Sequence, residues 1–557
     1  MADSGRTVFG IDLGTTYSAI AYVDETGRPT VCRNTDSMET TPSVVYFENE
    51  SNVVVGSVAK SSAIAYPDRV VSLIKRQMGT EATFLYDDTA YTPESVSALV
   101  LRQLAQDAEA HTGGKVDQVV ITVPAYFGML ERDATKNAGK IAGLDVIGIV
   151  PEPVAAALHY DATTDAQNKT VLVYDLGGGT FDTSVIHISE NEIEVVCTDG
   201  DDRLGGADWD SRLRDYLLEQ FTNQVPPGAA PEDDEEFLQA LVTTAEETKK
   251  HLSRAESRPV ALRGAGASAR IEVSRAKFEE LTGDLLDKTI DIVKRILATL
   301  EEKQPSVRID EVLLVGGSTK MPAVVERLRA EFGWEPKLHD PDLAVAKGAA
   351  LYALGRVVHK ELHDARAKAT TDAEAESYAQ EAIKAVEAQT GIAASTLEDL
   401  AAKETQNVLP KAFGVKLVDT SDKDWQSKPY RFYVEHLVRA NDTLPTDDRM
   451  FTAATLEDGQ RAVDIELFEQ SGVVAGPDLA ENKPLNEGKG TIDGLPPLPA
   501  GSPVNIRMSV DDEGLLKLDA TEPSTGKSLN IQVRVSVLTN EQVDKAAEVV
   551  RGLTVSS

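Results

Sequence analysis

Cysteine and tryptophan are scarce in this chain of 557 residues, which contains two cysteines and three tryptophans. Cys32 and Cys197 lie far apart and form no CxxC pair, so the sequence offers neither a disulfide framework nor a zinc-ligand pattern. We expect both thiols to be buried and reduced, as thiols of cytosolic proteins usually are. The expected location is therefore the cytoplasm.

Long apolar runs and basic residues are also in short supply. No run of about 18 apolar residues occurs, as a membrane-spanning helix would require, and the first ten residues, MADSGRTVFG, contain no secretory core. Lys and Arg number 56 against 91 Asp and Glu, which gives a net charge of −35. Such a surface repels nucleic acids and anionic lipids. We therefore expect neither as a partner, and any phosphate site must be built locally.

The chain changes character twice along its length. Residues 1–360 alternate short Val/Ile/Leu-rich runs, such as QVVITVPAYF, with helical runs, which is typical of layered α/β folds. From residue 407 to 538, apolar and polar residues alternate with a period of two. That pattern predicts an antiparallel β domain with one solvated face. Residues 539–557 predict one short helix and a tail.

Residues 361–406, between these two regions, are rich in Ala, Glu and Lys. Thr371 and Ser395 are each followed three residues later by a glutamate, as in a capping box, and Gly391 is a typical helix stop. The sequence therefore predicts a connector of two helices. A solvated flexible linker is the alternative interpretation of this composition.

Two turns rich in glycine and hydroxyl groups share one pattern, an apolar run that ends in an aspartate: VFGIDLGTTYSA (8–19) and VYDLGGGTFDTS (173–184). Glycines let backbone N–H groups approach a phosphate closely. Carboxylates beside phosphates make sense together with Mg²⁺, which keeps its waters and bridges to phosphate oxygens. The two turns thus predict a clamp on one triphosphate, built from two related halves around a cleft. Neither the Walker A pattern nor the GxGxxG fingerprint is present, whereas a third glycine loop, VGGSTK, is.

Together these motifs resemble the seventy-kilodalton heat-shock chaperones of the DnaK type, which belong to the actin-like ATPase superfamily. The similarity is carried by GIDLGTTYSAIAYV, LIKR, ITVPAYFGMLERDATKNAGKIAGLDVIGIVPEPVAAAL, VYDLGGGTFDTSV, DRLGGADWDSRL and VLLVGGSTKMPAV, and more loosely by GLPPLPAG and VDDEGLLKLDATEPSTGK. It implies an α/β actin-like ATPase domain, with two lobes around a nucleotide cleft, followed by an antiparallel β-sandwich domain. It also implies an ATP-hydrolysing, Mg²⁺-dependent chaperone whose partners are unfolded or extended polypeptides and J-domain and nucleotide-exchange cochaperones.

The resemblance further implies roles for single residues. Lys75 would reach the γ-phosphate and orient the attacking water, and Glu152 would sense that phosphate near the metal. Asp12 and Asp175 would hold Mg²⁺ through water, and Thr180 completes the catalytic set. Pro124 and Arg132 would relay the nucleotide state toward the β domain. The implied nucleotide-binding residues are Gly14, Thr15, Thr16 and Tyr17 in the first loop, Gly177, Gly178, Gly179 and Thr180 in the second, Glu246, Lys249, Lys250 and Ser253 around the adenosine, and Gly316, Gly317, Ser318, Lys320 and Asp342 opposite.

Four features depart from the family pattern. Lys320 stands where an arginine usually stacks on adenine, and lysine lacks the planar guanidinium. The short apolar linker is replaced by the Ala-rich connector, the lid is reduced to about one short helix, and no acidic cochaperone-binding motif ends the chain. A helical connector has its backbone groups paired internally, so we expect it not to join a sheet edge. We therefore expect ATP and ADP to change peptide affinity by less than about tenfold.

Two other functions remain open at this point. A metabolite kinase of the same fold would explain the loops, but it would need a second substrate pocket and would not need a β domain after residue 407. A nucleotide-dependent regulatory scaffold, whose β domain holds one dedicated partner, would fit the shortened lid. Promiscuous peptide binding separates a chaperone from such a scaffold.

Overall fold

The computed structural model describes residues 7–557 apart from 165–167, 227–229, 422–424, 426–428, 473, 512–513 and 534–535. Cys32 and Cys197 are both free and buried, as the sequence led us to expect. Of the helices in the described ranges, none combines the length and hydropathy needed to cross a bilayer.

Beside a smaller antiparallel sheet and a two-stranded hairpin, residues 7–164 form a six-stranded mixed sheet flanked by helices. The central strand of this sheet is a short apolar segment that ends at Asp12, and the longest helix is capped by the Thr92 side chain and stopped by left-handed Gly113. The strands are β1 (Phe9–Asp12), β2 (Tyr17–Val23), β3 (Pro29–Val31), β4 (Thr41–Pro42), β5 (Val45–Phe47), β6 (Asn52–Val55), β7 (Val70–Val71), β8 (Phe84–Tyr86), β9 (Thr89–Tyr91), β10 (Gln118–Val123) and β11 (Asp145–Pro151), and the helices are α1 (Ser57–Ser62), α2 (Pro93–Thr112), α3 (Met129–Ile141) and α4 (Glu152–Thr163).

Residues 168–366 form a second mixed sheet with its own helices. The last helix of this segment packs back against β1 and α4, so the two sheets share apolar core residues between them. The strands are β12 (Lys169–Leu176), β13 (Phe181–Ile188), β14 (Glu192–Asp201), β15 (Ser257–Gly264), β16 (Ala267–Ser274), β17 (Glu311–Val315) and β18 (Lys337–Leu338), and the helices are α5 (Gly206–Thr222), α6 (Glu235–Leu252), α7 (Arg275–Lys303), α8 (Pro322–Phe332) and α9 (Ala344–Arg366). Short 3₁₀ turns occur at Pro67–Arg69, Ile74–Gln77, Pro231–Asp233 and Gly317–Lys320.

The two sheets have the same order and the same strand directions. The first runs β11-β10-β1-β2-β3 and the second β18-β17-β12-β13-β14. In each, the central strand has a parallel neighbour on one side and an antiparallel hairpin partner on the other. The hairpin turn after β1 and the hairpin turn after β12 are the two glycine-rich segments. The prediction of two related halves is therefore confirmed by the topology.

The predicted connector is helical but it is not a free linker. It contains α10 (Asp372–Thr390), capped by the Thr371 side chain and ended by left-handed Gly391, and α11 (Ala394–Ala402). Both helices pack on α9 and bury apolar side chains, among them Ile383 and Leu397. The prediction that Ser395 caps the second helix is wrong. Helix α11 already begins at Ala394, and the N–H of Ala394 donates to Glu387 of α10. Helix α9 also continues through residue 360 to Arg366.

The end of the connector overturns a second expectation. Strand β19 (Glu404–Gln406) pairs in parallel with β14 at the edge of the second sheet. Helix α11 ends at Ala402, so the next residues have free backbone groups and can join the ladder. A polar Glu-Thr-Gln segment performs this pairing without apolar side chains. The expectation that the connector does not join a sheet edge is therefore wrong. The small expected effect of nucleotide on peptide affinity stays a prediction.

Residues from Phe413 to Val533 form two four-stranded antiparallel sheets, ordered β21-β20-β23-β24 and β22-β25-β26-β27, that contribute to one apolar core. The predicted alternation is confirmed in β25, where Val504, Ile506, Met508 and Val510 are all buried. The strands are β20 (Phe413–Val418), β21 (Phe432–Val438), β22 (Arg449–Ala454), β23 (Val463–Gln470), β24 (Asn482–Ile492), β25 (Pro503–Val510), β26 (Leu516–Glu522) and β27 (Lys527–Val533), with a 3₁₀ turn at Leu479–Glu481.

The β-rich part is docked on the two α/β parts. Met129 of α3 inserts into its core, and the Tyr126 hydroxyl donates to the Gly472 carbonyl at 3.4 Å. Left-handed Asn441 accepts from the Thr198 N–H at 2.8 Å through its side chain and from the Lys303 ammonium through its carbonyl. These contacts place the β-rich part against both halves at once.

A buried charged cluster lies at this interface. Glu469 of β23 accepts from the Met129 N–H at 3.3 Å, and Lys411 lies 3.7 Å from Glu131 of α3. All three charged side chains are buried. Burial first, and the neighbouring Glu131 second, raise the pKa of Glu469 to about 7, while Lys411 opposes that shift. Two carboxylates thus share one ammonium in a water-poor interface.

The last elements do not cover the β-rich part. Helix α12 (Asn540–Gly552) packs on α2 and α3, and strand β28 (Thr554–Ser556) pairs in parallel with β6. The expected apolar face is present, since Val543 and Val550 are buried, but it is buried in the core of the first part. The interpretation of this helix as a reduced lid is therefore wrong, because its apolar residues complete the core of the first part instead.

We predict that Glu469→Gln flattens the pH dependence of interface stability. The folded-state pKa lies above the ordinary value of 4.5, so its contribution to stability is full below about pH 4.5 and is lost as pH rises through about 7. The loss is at most on the order of 3 kcal/mol. Urea unfolding between pH 5.5 and 8 measures it. Glu466→Gln, on the same strand, is the control, and an unchanged slope in Glu469→Gln would contradict the assignment.

Candidate functional site

The two glycine-rich turns lie directly against each other. A Cβ atom built on Gly178 would lie under 3.0 Å from side-chain atoms of Thr16, and one built on Gly179 would lie under 3.0 Å from those of Thr15. Only glycine permits this approach. The turns after β1 and after β12, which are distant in sequence, therefore form one surface, as the sequence predicted.

Each turn is fixed by hydrogen bonds around it. In the first, Ser43 donates to the Gly14 carbonyl at 2.7 Å and the Gly14 N–H donates to Ser18 at 3.1 Å. In the second, the N–H groups of Gly206 and Ala207 donate to the carbonyls of Gly177 and Gly178 at 3.0 and 2.8 Å. Because these carbonyls are occupied, the conformation of the second turn is determined by the start of α5.

Two further side chains from outside the turn contact the same backbone. Ser318 donates to the Gly177 carbonyl at 2.9 Å, and Arg76 donates to the Gly179 carbonyl at 2.9 Å. Arg76 also pairs with Asp208 at 2.5 Å, so it links the first part of the chain to the start of α5. The two halves are thus joined at the turn as well as beside it.

A buried ion pair lies next to the turns. The Lys75 ammonium donates to Glu152 at 2.6 Å, and the two side chains are 4% and 9% exposed. Lys75 belongs to the Ile74–Gln77 turn, which follows left-handed Leu73, and Glu152 is the first residue of α4. The turn and the helix terminus therefore aim one cation and one carboxylate at the same place.

Three aspartates surround this pair. Burial first, and Glu152 second, raise the pKa of Asp12, of Asp175 and of Asp182, while Lys75 lowers each of them. The pKa of Asp182 is raised to about 8. The Tyr126 N–H donates to Asp182 at 3.0 Å. The site thus contains four carboxylates and one ammonium, an excess of negative charge that favours protons or a cation.

The donor set fits Mg²⁺. Oxygen ligands are what Mg²⁺ prefers, and it usually keeps several waters and takes one or two carboxylates. Among the described residues, no group of three or more His, Cys, Asp or Glu side chains could hold a metal ion by itself. Asp12 and Asp175, at the ends of corresponding strands, remain the residues that would hold such an ion through water.

A polar cluster connects the first turn to α6. The Tyr17 hydroxyl donates to Glu246 at 3.1 Å, and Lys250 donates to that carboxylate at 2.6 Å. Lys60 of α1 pairs with Glu246 from the other side. Despite its burial, Glu246 has its pKa lowered to about 2 by these two ammonium groups, Lys60 first. Glu246 is therefore ionised at neutral pH, and it links the two halves.

The third glycine loop lies behind the second turn. Besides the Ser318 contact, Lys249 donates to the Gly206 carbonyl at 2.8 Å and to Asp210 at 2.7 Å, so α6 is anchored to the start of α5. Lys320 pairs with Asp342, and both side chains are about half exposed. Gly316 is left-handed, and its N–H donates to the Pro341 carbonyl at 2.8 Å. Ser253 ends α6 and donates to the Lys249 carbonyl at 3.1 Å.

The structure brings the sequence-predicted residues together around the junction of the two halves and adds others. Asp182, Lys60, Arg76 and Asp208 were missed. Asp182 stands in the quoted glycine-rich segment, and its position on the strand after the turn could have identified it. Arg76 and Asp208 stand in the quoted segments LIKR and DRLGGADWDSRL, whereas Lys60 stands in none of them. Their charge alone gives no further signal, because single charged residues in helices and turns are usually solvated.

The two residues expected to act as a relay lie between this site and the β-rich part. The Arg132 guanidinium donates to the Phe127 carbonyl at 2.9 Å and to the Ala125 carbonyl at 3.2 Å, and burial lowers its pKa to about 10. Arg132 thus fixes the turn that follows Pro124. The same turn carries Tyr126, which contacts Asp182 on one side and Gly472 on the other.

A family model described as Hsp70 protein matches residues 8–88, 81–396 and 429–552 of the chain.

We predict that Gly178→Ala destabilises the junction of the turns whereas Gly177→Ala does not. The added methyl group at 178 would overlap Thr16, while at 177 the nearest atom would lie 3.6 Å away, which is ordinary contact. Overpacking of this kind costs roughly 1–3 kcal/mol. Thermal unfolding without ligands measures the difference. Equal midpoints for the two variants would show that the turns do not meet.

Proposed function

Since the chain belongs to the Hsp70 family, we propose that it is a molecular chaperone that binds and hydrolyses Mg·ATP and holds unfolded or extended polypeptide. The observation that carries the proposal is the contact of two equivalent turns, one from each half, beside the buried Lys75–Glu152 pair. In this interpretation the actin-like ATPase domain extends through the predicted boundary at residue 360 to the end of α9 at Arg366, the connector continues to residue 406, and the β-sandwich runs from residue 407 to Val533, short of the predicted boundary at residue 538.

Each site residue has a physical task in hydrolysis. Phosphoryl transfer to water depends mainly on positioning and charge stabilisation. Backbone N–H groups of the two turns would hold phosphate oxygens, with hydroxyl groups of Thr15, Thr16 and Thr180 beside them. The Lys75 ammonium would neutralise charge that develops on the transferred group, and Glu152 holds that ammonium in place at 2.6 Å. Mg²⁺, held through water by Asp12 and Asp175, would supply charge neutralisation and a template for the phosphates.

The nucleoside end of the substrate would lie between α6 and the third glycine loop. Glu246, Lys249, Lys250 and Ser253 would face it from one side, and Gly316, Gly317, Ser318, Lys320 and Asp342 from the other. Tyr17 connects this end to the first turn through its bond to Glu246. The Lys60–Glu246 pair would then lie across the mouth of the cleft.

Polypeptide would bind on partly exposed apolar side chains of the β-sandwich. Leu417, Phe451, Ala453 and Val463 pack against its core and remain partly accessible. The Tyr430 hydroxyl bonds to Glu457 between the neighbouring loops, which connects them across this region. Partly accessible apolar side chains of this kind, contributed by both sheets, would contact the side chains of an extended polypeptide.

The partners would be unfolded clients, with J-domain and nucleotide-exchange cochaperones as further candidates. Nucleic acid and membrane lipid fit poorly with a net charge of −35. Two free, buried cysteines suit a reducing compartment such as the cytoplasm.

A nucleotide-dependent scaffold with one dedicated partner is the second candidate. The observation that favours it is the attachment of the β-rich part to the ATPase part near both of its ends, by β19 and by α12 with β28. A metabolite kinase is less well supported, because it gives the β-rich part no task. A peptide array separates the first two, since a chaperone binds many sequences and a scaffold few.

We predict that Lys75→Ala retains ATP binding and slows hydrolysis by on the order of 10²–10³-fold, because a preorganised transition-state charge is lost. Single-turnover hydrolysis and equilibrium binding measure the two effects. Lys277→Ala, at an exposed pair with Glu280, is the control. The double variant Lys75→Ala/Glu152→Gln guards against misfolding by an unpaired buried carboxylate, and hydrolysis at the wild-type rate would contradict the role.

We also predict that Lys320→Arg tightens binding of adenine nucleotides. A guanidinium can stack on the base, which is worth roughly 0.5–2 kcal/mol over an aromatic face, and it can keep the bond to Asp342. Calorimetry with ADP measures the gain, with Lys294→Arg, at the ion pair with Glu331, as the control. Equal or weaker affinity would place Lys320 away from the base.

A further inference from the structure

The final segment of the described chain, residues 536–557, is built into the first α/β part; we name it the C-terminal strap. Val543, Val550, Leu553 and Val555 are all less than 9% exposed and belong to the same apolar cluster as Phe9 and Phe47. A segment that only rested on the surface would not share a core with the first strand of the chain. The strap therefore completes this core.

Hydrogen bonds to the backbone of the C-terminal strap fix its position in addition to the apolar contacts. Thr554, Val555 and Ser556 pair with Asn52, Val53 and Val54 of β6, and the Thr554 N–H donates to the Ser51 carbonyl at 2.8 Å. Arg102 of α2 donates to the Val550 carbonyl at 2.6 Å, and the same carbonyl accepts the Leu553 N–H at 3.2 Å where α12 ends. The register of the strap is thus fixed by both sheet and helix contacts.

The strap begins almost where the β-sandwich ends. Val533 is buried in the core of the sandwich, and Ser536 already accepts from Asn137 of α3 at 3.4 Å. Three peptide steps span at most about 11 Å. The last strand of the sandwich cannot move farther than this from α3 unless the strap leaves its place.

The opposite end of the sandwich is also attached. Strand β19 pairs with β14, and Val408 is buried with residues of the second sheet only a few residues before β20. Two short connections, one to each half of the ATPase part, therefore restrain the same sandwich. A restraint at one end alone would still allow the sandwich to swing about that end.

We propose that the C-terminal strap keeps the β-sandwich docked on the ATPase part in every nucleotide state, so that the chain works as one unit. The proposal rests on the proposed function only where it speaks of nucleotide states. It goes beyond that function because it assigns the last helix and strand to permanent attachment and not to covering bound peptide. Strand β28 would have to be stripped from β6, and four apolar side chains exposed, before the sandwich could separate.

Hydrogen–deuterium exchange of the full chain tests this directly, without nucleotide, with Mg·ADP and with Mg·ATP. The readouts are peptides that contain residues 52–55, 404–406 and 554–556, whose amide groups take part in the two pairings. We expect the exchange rates at residues 52–55 and at residues 404–406 to agree within about threefold among the three nucleotide conditions. Loss of protection by 100-fold or more at residues 404–406 with Mg·ADP would overturn the proposal.

A pair of variants tests whether the strap is the cause. Val555→Asp places a charge in the core, whereas Thr554→Asp adds the same charge at the neighbouring exposed position. We expect Val555→Asp to increase exchange at residues 404–406 at least tenfold and Thr554→Asp to match wild type. If Val555→Asp does not fold, Val555→Ala is compared in its place. Protection at residues 404–406 that is unchanged when the strap itself exchanges freely would refute the proposal.

The outcomes separate this proposal from the proposed function. Nucleotide binding is measured on the same samples by calorimetry. Absence of binding would refute the ATPase, while the comparison of Val555→Asp with Thr554→Asp without nucleotide would still decide the role of the strap. Normal nucleotide binding together with undocking of the β-sandwich in the wild-type chain would refute only the proposed role of the strap.

Discussion

The contact between Thr15 and Thr16 on one turn and Gly178 and Gly179 on the other is the constraint on which the rest depends. Two halves with the same strand order can bring their turns together only if one turn lacks side chains at the contact. That requirement explains the row of glycines. It also explains why helix α5 begins where it does, since its first N–H groups hold the second turn in place. The site therefore depends on two halves with the same strand order and on two turns with different side chains at their contact.

Electrostatics at the junction follow from that geometry. Corresponding strand ends bring Asp12 and Asp175 to the same place, and Glu152 and Asp182 join them in a buried environment. Lys75 alone cannot neutralise four carboxylates. A chain with a net charge of −35 can accept a polyphosphate there only when a divalent cation and backbone N–H groups offset the repulsion. The local arrangement would thus allow an acidic protein to bind the anionic substrate that we propose.

Much of this arrangement could be predicted from the sequence, for identifiable reasons. Alternation in β25 and the capped helix α10 are local patterns, and local patterns survive in the fold. The two glycine turns could be matched because they repeat one motif. Asp182 lies within the quoted motif, where its position on the strand after the second turn could have identified it. Lys60 lies in no quoted motif, and Arg76 lies in LIKR without a separate signal, because the roles of both arise from partners far away in sequence.

The errors share a physical cause as well. Ser395 was assigned as a cap from spacing alone, while Glu387 of the preceding helix accepts the N–H of Ala394. Residues 404–406 contain no apolar side chain, yet they pair with β14 because a parallel ladder needs backbone groups and not a particular side chain. The last helix was amphipathic as expected, but periodicity does not say which core its apolar face will enter. Tertiary contacts decided each of these cases.

Turnover of ATP in the presence and absence of an unfolded polypeptide decides whether the two turns serve a Mg²⁺-dependent ATPase that responds to polypeptide. We predict slow, Mg²⁺-dependent release of phosphate that is abolished by chelation and that changes when a reduced, permanently unfolded polypeptide is added. Many other polypeptides of unrelated sequence should bind as well. Phosphate release that is absent with Mg²⁺ at saturating ATP, or transfer of phosphate to a small-molecule acceptor, would contradict this prediction.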